Sequence, residues 1–209
     1  GIATIYFPDG SNMRLSENTR LLITESSTGA DGTLKVRAYL FAGKVWSKVL
    51  GLSTAESVWE VESSTAVATV RGTAFGVWVG EDETTDITVT ESKVRARAKD
   101  PDTGKVMEES ETEVTVDEVV DVTKDEARRM AKLDREKEKV KVEHMMERGK
   151  LSSERREFQE WANREMAEDK KVDERIKEIE SRGLEHKEAV REFNKELRDS
   201  ELAFKDFKD

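Results

Sequence analysis

The sequence predicts an α+β chain in which the two kinds of element are segregated. An all-β sandwich or short coiled sheet occupies residues 1–122, and a charged α-helical arm of two or three segments occupies residues 123–209. Three observations carry this. Turn signals recur about every ten residues in the first part, between runs with an apolar period of two. At Val122 the period changes to three or four. Residues 1–122 hold 12 Lys/Arg against 21 Asp/Glu, a net of −9, whereas residues 123–209 hold 24 against 25. With 49 of its 87 residues charged, the second part cannot form an ordinary globule by itself.

Ala3–Phe7 reads as a short strand, and Pro8-Asp-Gly-Ser11 as a turn in which Pro fixes φ and Gly tolerates φ > 0. Met13 and Leu15 continue at period two, followed by Arg20–Thr24. After the polar loop Ser26–Gly32, Thr33–Leu40 alternates: Leu34, Val36, Ala38 and Leu40 on one face, Lys35, Arg37 and Tyr39 on the other. Gly43–Val49 reads as the next strand. Ser57–Val79 holds three apolar runs, broken at Ser63-Ser64 and at Arg71-Gly72-Thr73, with Phe75, Val77 and Val79 opposite Trp78. The answering run Asp86–Ala98 places Val94, Ala96 and Ala98 one way and Lys93, Arg95 and Arg97 the other. Asp100-Pro-Asp-Thr-Gly104 is a hairpin turn, and a last strand with Val114 and Val116 ends near Val120.

Thr123-Lys-Asp-Glu126 reads as a capping box, with Thr123 at the helix N-terminus and Glu126 reaching back to it. Helices are predicted over about 124–148, 153–182 and 184–207. Arg148-Gly149-Lys150 breaks the first from the second, and Gly183 marks a further break or a weak point. Phe158, Trp161, Val172, Ile176 and Ile179 lie near three-to-four spacing. His186, Val190, Phe193, Leu197 and Phe204 form a second, coiled-coil-like stripe. These stripes are thin, so each helix must fold back on another, lie on the sandwich, or pair with another subunit.

Cysteine is absent, which excludes disulfides and thiolate metal sites. No run reaches the ~20 apolar residues of a membrane span, and the acidic first part argues against a nucleic-acid footprint. The chain begins at Gly1, the expectation for a processed chain that has lost a signal or anchor. One Gln and four Asn beside the many Glu, Lys and Arg match the hyperthermophile bias, which charged helices also produce.

Three sets of blocks carry a family resemblance. The opening Ala3–Ser11 with Leu15–Asn18, the Gly43-Lys-Val-Trp46 element, and above all Glu60-Val-Glu-Ser-Ser-Thr-Ala-Val-Ala-Thr-Val-Arg-Gly-Thr-Ala-Phe75 stand in the order found in the FecR domain family. The chain resembles that family over roughly residues 3–98. Within it, Gly72, Thr73 and Phe75 make the fold-defining turn. The family usually has Gly before the last strand; Ser92 stands there, and a turn needing φ > 0 would be strained. The resemblance implies an all-β extracytoplasmic sensory or interaction domain. A charged helical tail after the β domain resembles FecR-domain surface proteins, which places the chain outside the cell or on its surface.

Candidate chemistry is sparse. His144 and His186 could pair on a metal, against solvated or seam positions. Glu81-Asp82-Glu83 with Asp86 offers oxygen ligands for Ca²⁺, against a charged turn that blunts a sheet edge. Arg71-Gly72-Thr73 could bind an anion, against a bend in the sheet. Trp46, Trp59 and Trp78 could stack a glycan, against packing in a small core. In each case the structural alternative is preferred, and no catalytic residue, metal or cofactor is assigned. The resulting expectation is a non-enzymatic extracellular subunit that self-assembles, as a homo-oligomer or filament, through the arm residues Phe158, Trp161, Ile176, Ile179, Val190, Phe193, Leu197 and Phe204. The alternative is an envelope sensor or ligand-binding module of the FecR signalling type.

Overall fold

A computed structural model describes the backbone of residues 1–52, 54–136 and 153–205, and the side chains of these except 134–136, 153, 187 and 198–205. The strands are β1 (Ala3–Tyr6), β2 (Asn12–Leu15), β3 (Arg20–Thr28), β4 (Leu34–Val49), β5 (Val58–Glu62), β6 (Ala66–Val70), β7 (Thr73–Val79), β8 (Thr85–Glu91), β9 (Lys93–Ala98), β10 (Thr112–Thr115) and β11 (Val119–Val122). The helices are α1 (Lys124–Glu136), α2 (Ser153–Glu180) and α3 (His186–Lys205). The change from strands to helices falls at Thr123, as the switch of period predicts.

Two sheets share one strand. The first half of β4 lies between β3 and β5, in a sheet continued by β6, β9 and β10. Its second half lies between β2 and β7, in a sheet continued outward by β1 on one side and by β8 and β11 on the other. Every pairing is antiparallel except β4 with β5, whose strands run parallel.

The sequence reads Thr33–Leu40 and Gly43–Val49 as separate strands; they are one strand of 16 residues. Gly43 is the reason for both the appearance and the continuity. Its φ is +91°, and a Cβ there would lie 2.6 Å from the Cα of Thr19. Only Gly fits so close to the neighbouring backbone in that conformation. Before it, the even positions Leu34, Val36, Ala38 and Leu40 are buried; after it, Val45, Ser47 and Val49 face the core. The extra residue resets the two-residue phase, so the strand keeps facing one core while it passes between sheets.

That core is the inner faces of both sheets together: Met13, Val36, Leu40, Trp59, Val61, Phe75, Val77, Ile87, Val94 and Val120 among others. α1 belongs to it through Ala127, Met130 and Ala131. The capping box forms as predicted: the Thr123 N–H donates to Glu126 Oε2 at 3.1 Å and the Glu126 N–H to Thr123 Oγ1 at 3.2 Å.

The predicted last strand is two strands. Asp117, with φ +67°, turns the chain from β10 in one sheet to β11 in the other; a short polar side chain tolerates that conformation. Gly72 has φ +124° and packs at 3.0 Å against Gly51 Cα, measured from the position its Cβ would take. Thr73 Oγ1 donates to the Glu91 carbonyl, and Phe75 is in the core. Ser92 sits at φ +64°, the strained position expected of a non-Gly residue at this turn. Gly183, φ +92°, follows the end of α2 and its N–H donates to the Glu180 carbonyl at 2.8 Å, so it is a true break.

Candidate functional site

The sheet formed by β1, β2, the second half of β4, β7, β8 and β11 turns its outer face to α2. Strand pairing orders that face in rows. Arg14, Trp46, Gly76, Thr88 and Val119 stand opposite one another on successive strands, and Lys44, Trp78, Asp86 and Asp121 form the next row. Alternation leaves this face polar, with Trp46, Ala74, Gly76 and Trp78 as an apolar strip in its middle.

α2 crosses those rows. At its first turn Arg155 bridges two carboxylates: its Nε donates to Asp86 Oδ1 at 3.0 Å and its Nη2 pairs with Asp121. In its middle, Arg14 of β2 pairs with Glu165 at 2.5 Å and with Asp169 at 2.5 Å. Residues 155 to 169 span ~21 Å of helix at 1.5 Å per residue. The four strand spacings from β11 to β2 cover ~19 Å. The helix therefore lies across the strands, and its charged positions meet opposite charges on strands at both ends of that span.

Between these ends the contact is aromatic. Phe158 and Trp161 stack at 5.6 Å, Phe158 lies against Trp78 at 5.7 Å, and Trp161 meets Trp46 edge-on at 6.4 Å. Gly76 makes room for them: a Cβ there would come within 3.1 Å of Trp161 and 3.3 Å of Phe158. An isolated Gly inside a strand marks such a close approach.

Asp169 has 0% exposure. Its carboxylate accepts from Trp46 Nε1 at 2.6 Å, from Arg14 Nη2 at 2.5 Å and from Asn12 Nδ2 at 3.4 Å. A buried carboxylate persists only when so satisfied. Lys48 pairs with Asp173 one turn further on. Asp86 differs: burial pushes its carboxyl up to about 6, with Asp121 and Asp82 adding repulsion and Arg155 opposing them. Asp86 and Asp121 are opposite each other on β8 and β11, a like-charge pairing that is unfavourable without the guanidinium between them.

Two clefts flank the docked helix. One, of ≈ 630 Å³, lies at its N-terminal end between Lys44, Trp78, Asp86, Arg155 and Glu157. The other, of ≈ 460 Å³, lies between Lys48, Arg71, Ser92, Met166 and Asp173.

The predicted arm residues divide into two groups. Phe158 and Trp161 lie on the sheet with Ala162 and, partly buried, Met166. Ile176, Ile179, Val190 and Phe193, with Leu197 partly buried, join α2 to α3 and receive Tyr6 of β1, whose ring meets Phe193 at 6.0 Å. The side chain of Phe204 lies outside the described residues. The division follows from length: 28 residues of α2 reach ~42 Å, further than the sheet face it crosses.

Other candidates are not brought together. His186 pairs with Glu180 at 2.6 Å and is exposed, while His144 lies outside the described residues. Asp82 accepts from the N–H and hydroxyl of Thr84 at 2.9 and 2.8 Å, Glu83 pairs with Lys124 and Asp86 with Arg155. Among the described residues no group of three or more His, Cys, Asp or Glu could hold a metal. Trp46 and Trp59 are each 0% exposed, so the three tryptophans form no platform. Arg71 donates to the Ala55 carbonyl at 2.5 Å. No described helix is long and apolar enough to cross a membrane. The residues missed by sequence reasoning are Arg14, Gly76, Asp121, Arg155 and Asp169.

Residues 1–95 match the family model described as FecR protein. Two crystal structures of a "putative anti-sigma factor" from Parabacteroides distasonis ATCC 8503 are similar, each 19% identical, covering 59% of this chain, with TM-scores of 0.46 and 0.44. The match spans 51% of that chain, about half its length. No curated protein matches.

Proposed function

We propose that this chain, with a FecR domain at residues 1–95, is a non-enzymatic envelope module that senses by binding a partner, as in signalling of the FecR type. The family match is the observation that carries the proposal. The site supports it by its chemistry: ring stacking, an indole N–H on a carboxylate and ion pairs are means of recognition. Exposure to the extracytoplasmic side is part of the proposal.

Self-assembly through the arm has less support. It requires a helical arm in need of apolar surface, and Phe158, Trp161, Ile176, Ile179, Val190 and Phe193 are covered within this chain. Deleting the gene and profiling transcripts is the test. A restricted set of transcripts that changes on deletion and returns on complementation is expected. An unchanged profile, together with filaments of the purified chain by light scattering, would restore the structural reading.

A further inference from the structure

We propose that the outer face of the β2–β4–β7–β8–β11 sheet is a helix-docking surface which α2 occupies as a displaceable internal ligand. Its partner is a helix of the same chemistry: two aromatic rings one turn apart, then carboxylates seven and eleven positions after the first ring. This deepens the sensing reading and rests on it only for the existence of a partner.

Three observations separate this contact from the rest of the fold. First, its apolar residues, Trp46, Ala74, Phe158, Trp161 and Ala162, form a cluster of their own. α1 is in the main core, but α2 and α3 are not. Undocking α2 leaves the core of the sandwich intact.

Second, the face beneath α2 tolerates water. Asn12, Arg14, Lys44, Lys48, Asp86, Thr88 and Asp121 make up most of its rows. Obligate contacts are more apolar than this. Third, what holds α2 is largely charge: Arg155 on Asp86 and Asp121, Glu165 and Asp169 on Arg14, Asp173 on Lys48. Buried ion pairs set register and partner choice more than they add stability. The pattern a partner must present is read from α2 itself: Phe158, Trp161, Glu165 and Asp169, at 0, 3, 7 and 11.

Covalent attachment gives α2 a high effective concentration, so a free helix competes poorly with the intact chain. The experiment uses a fluorescent peptide of residues 153–180 and the full chain, wild type and Phe158→Ala/Trp161→Ala. The expected result is at least tenfold tighter binding of the wild-type peptide to the double variant, lost when Gly76→Leu is added or when the peptide carries Asp169→Ala. Hydrogen exchange on both chains is the second measurement. In the wild type, α2 and α3 amides should exchange together and at least tenfold faster than those of β6 and β9.

An α2 that exchanges only with β6 and β9 overturns the proposal, whatever the variant does. So does a double variant whose strands stay protected but which binds no peptide. A wild-type chain that trades arms with a second copy, seen as a dimer by light scattering, makes the face an interface between copies and overturns the partner assignment. None of these results depends on the transcript profile, so this proposal and the sensing function fail separately.

Discussion

The two outer faces of the sandwich are built by the same strand and meet opposite fates. On one, β4 contributes Trp46 and Lys48, and α2 covers them. On the other it contributes Lys35, Arg37 and Tyr39, which are partly exposed, and Phe41, which retains 42% exposure beside Leu22 at 52%. Among the described residues, the extensive helix contacts fall on β4, β7 and β8. On the second face several charges pair without a helix of the arm. Arg37 reaches Glu25 at 2.6 Å and Glu60 at 3.3 Å, Arg97 reaches Glu108 at 2.7 Å, and Lys99 reaches Glu62 at 2.6 Å. On the first face the cations Arg14 and Lys48 find their carboxylates on the helix, and the carboxylates Asp86 and Asp121 find their cation there. One face meets its ion-pair partners on a helix; the other meets several of its partners on neighbouring strands.

The sharpest way to break that contrast is Asp169→Ala. Removing this carboxylate leaves the Trp46 N–H without its acceptor and takes one of two carboxylates from Arg14. Removing one partner of a buried pair costs about 3–5 kcal/mol. Urea titration followed by tryptophan fluorescence should show an early phase as α2 leaves the sheet. Loss of less than about 1 kcal/mol would mean that the ring contacts alone hold the helix.

Next is pH. Asp86 titrates at about 6 in the folded chain against the ordinary 3.8, chiefly through burial. The folded chain therefore binds more protons than the unfolded one between those values. The site's contribution is fully present below about pH 4 and is lost as pH rises through 6, about 3 kcal/mol at 1.36 kcal/mol per unit. Asp86→Asn should flatten that slope in urea midpoints measured from pH 4 to 7. An unchanged slope would place the titration elsewhere. Gly76→Ala follows: its methyl would press on Trp161 and Phe158, with an expected cost of about 1–3 kcal/mol for overpacking. If exchange rates of α2 stay at wild-type values, the rings have room to spare.

The sequence made the sandwich legible where period two was clean, as in Thr33–Leu40 and Phe75–Val79, and made the arm legible through Thr123-Glu126 and Gly183. It hid the continuity of β4, because a Gly that resets phase looks like a Gly that ends a strand. It hid the docking face for a different reason. Asp169 stands in Glu168-Asp169-Lys170-Lys171, where nothing local separates a buried carboxylate from its solvated neighbours. Arg14, Asp86 and Asp121 occupy ordinary outward positions in strands, and only the tertiary pairing tells which outward face is covered. Gly76 alone carried a usable signal, a glycine between Phe75 and Val77 where a close approach was the natural inference.

The smallest effect is expected on the open face, and it tests the contrast from the other side. Arg37→Ala removes two of the sheet's own ion pairs, but the guanidinium side chain is 41% exposed. Exposed pairs are worth less than about 1 kcal/mol. Glu60 is already held above its ordinary range, by burial first and then by Glu62 beside it. Losing Arg37 pushes it further up, while Arg97 stays within 3.8 Å of its carboxylate. The expected outcome is a shift of the urea midpoint near the limit of measurement, with exchange of α2 and α3 unchanged. If Arg37→Ala instead frees α2, the two faces are coupled through β4, and their opposite fates are one property of the strand.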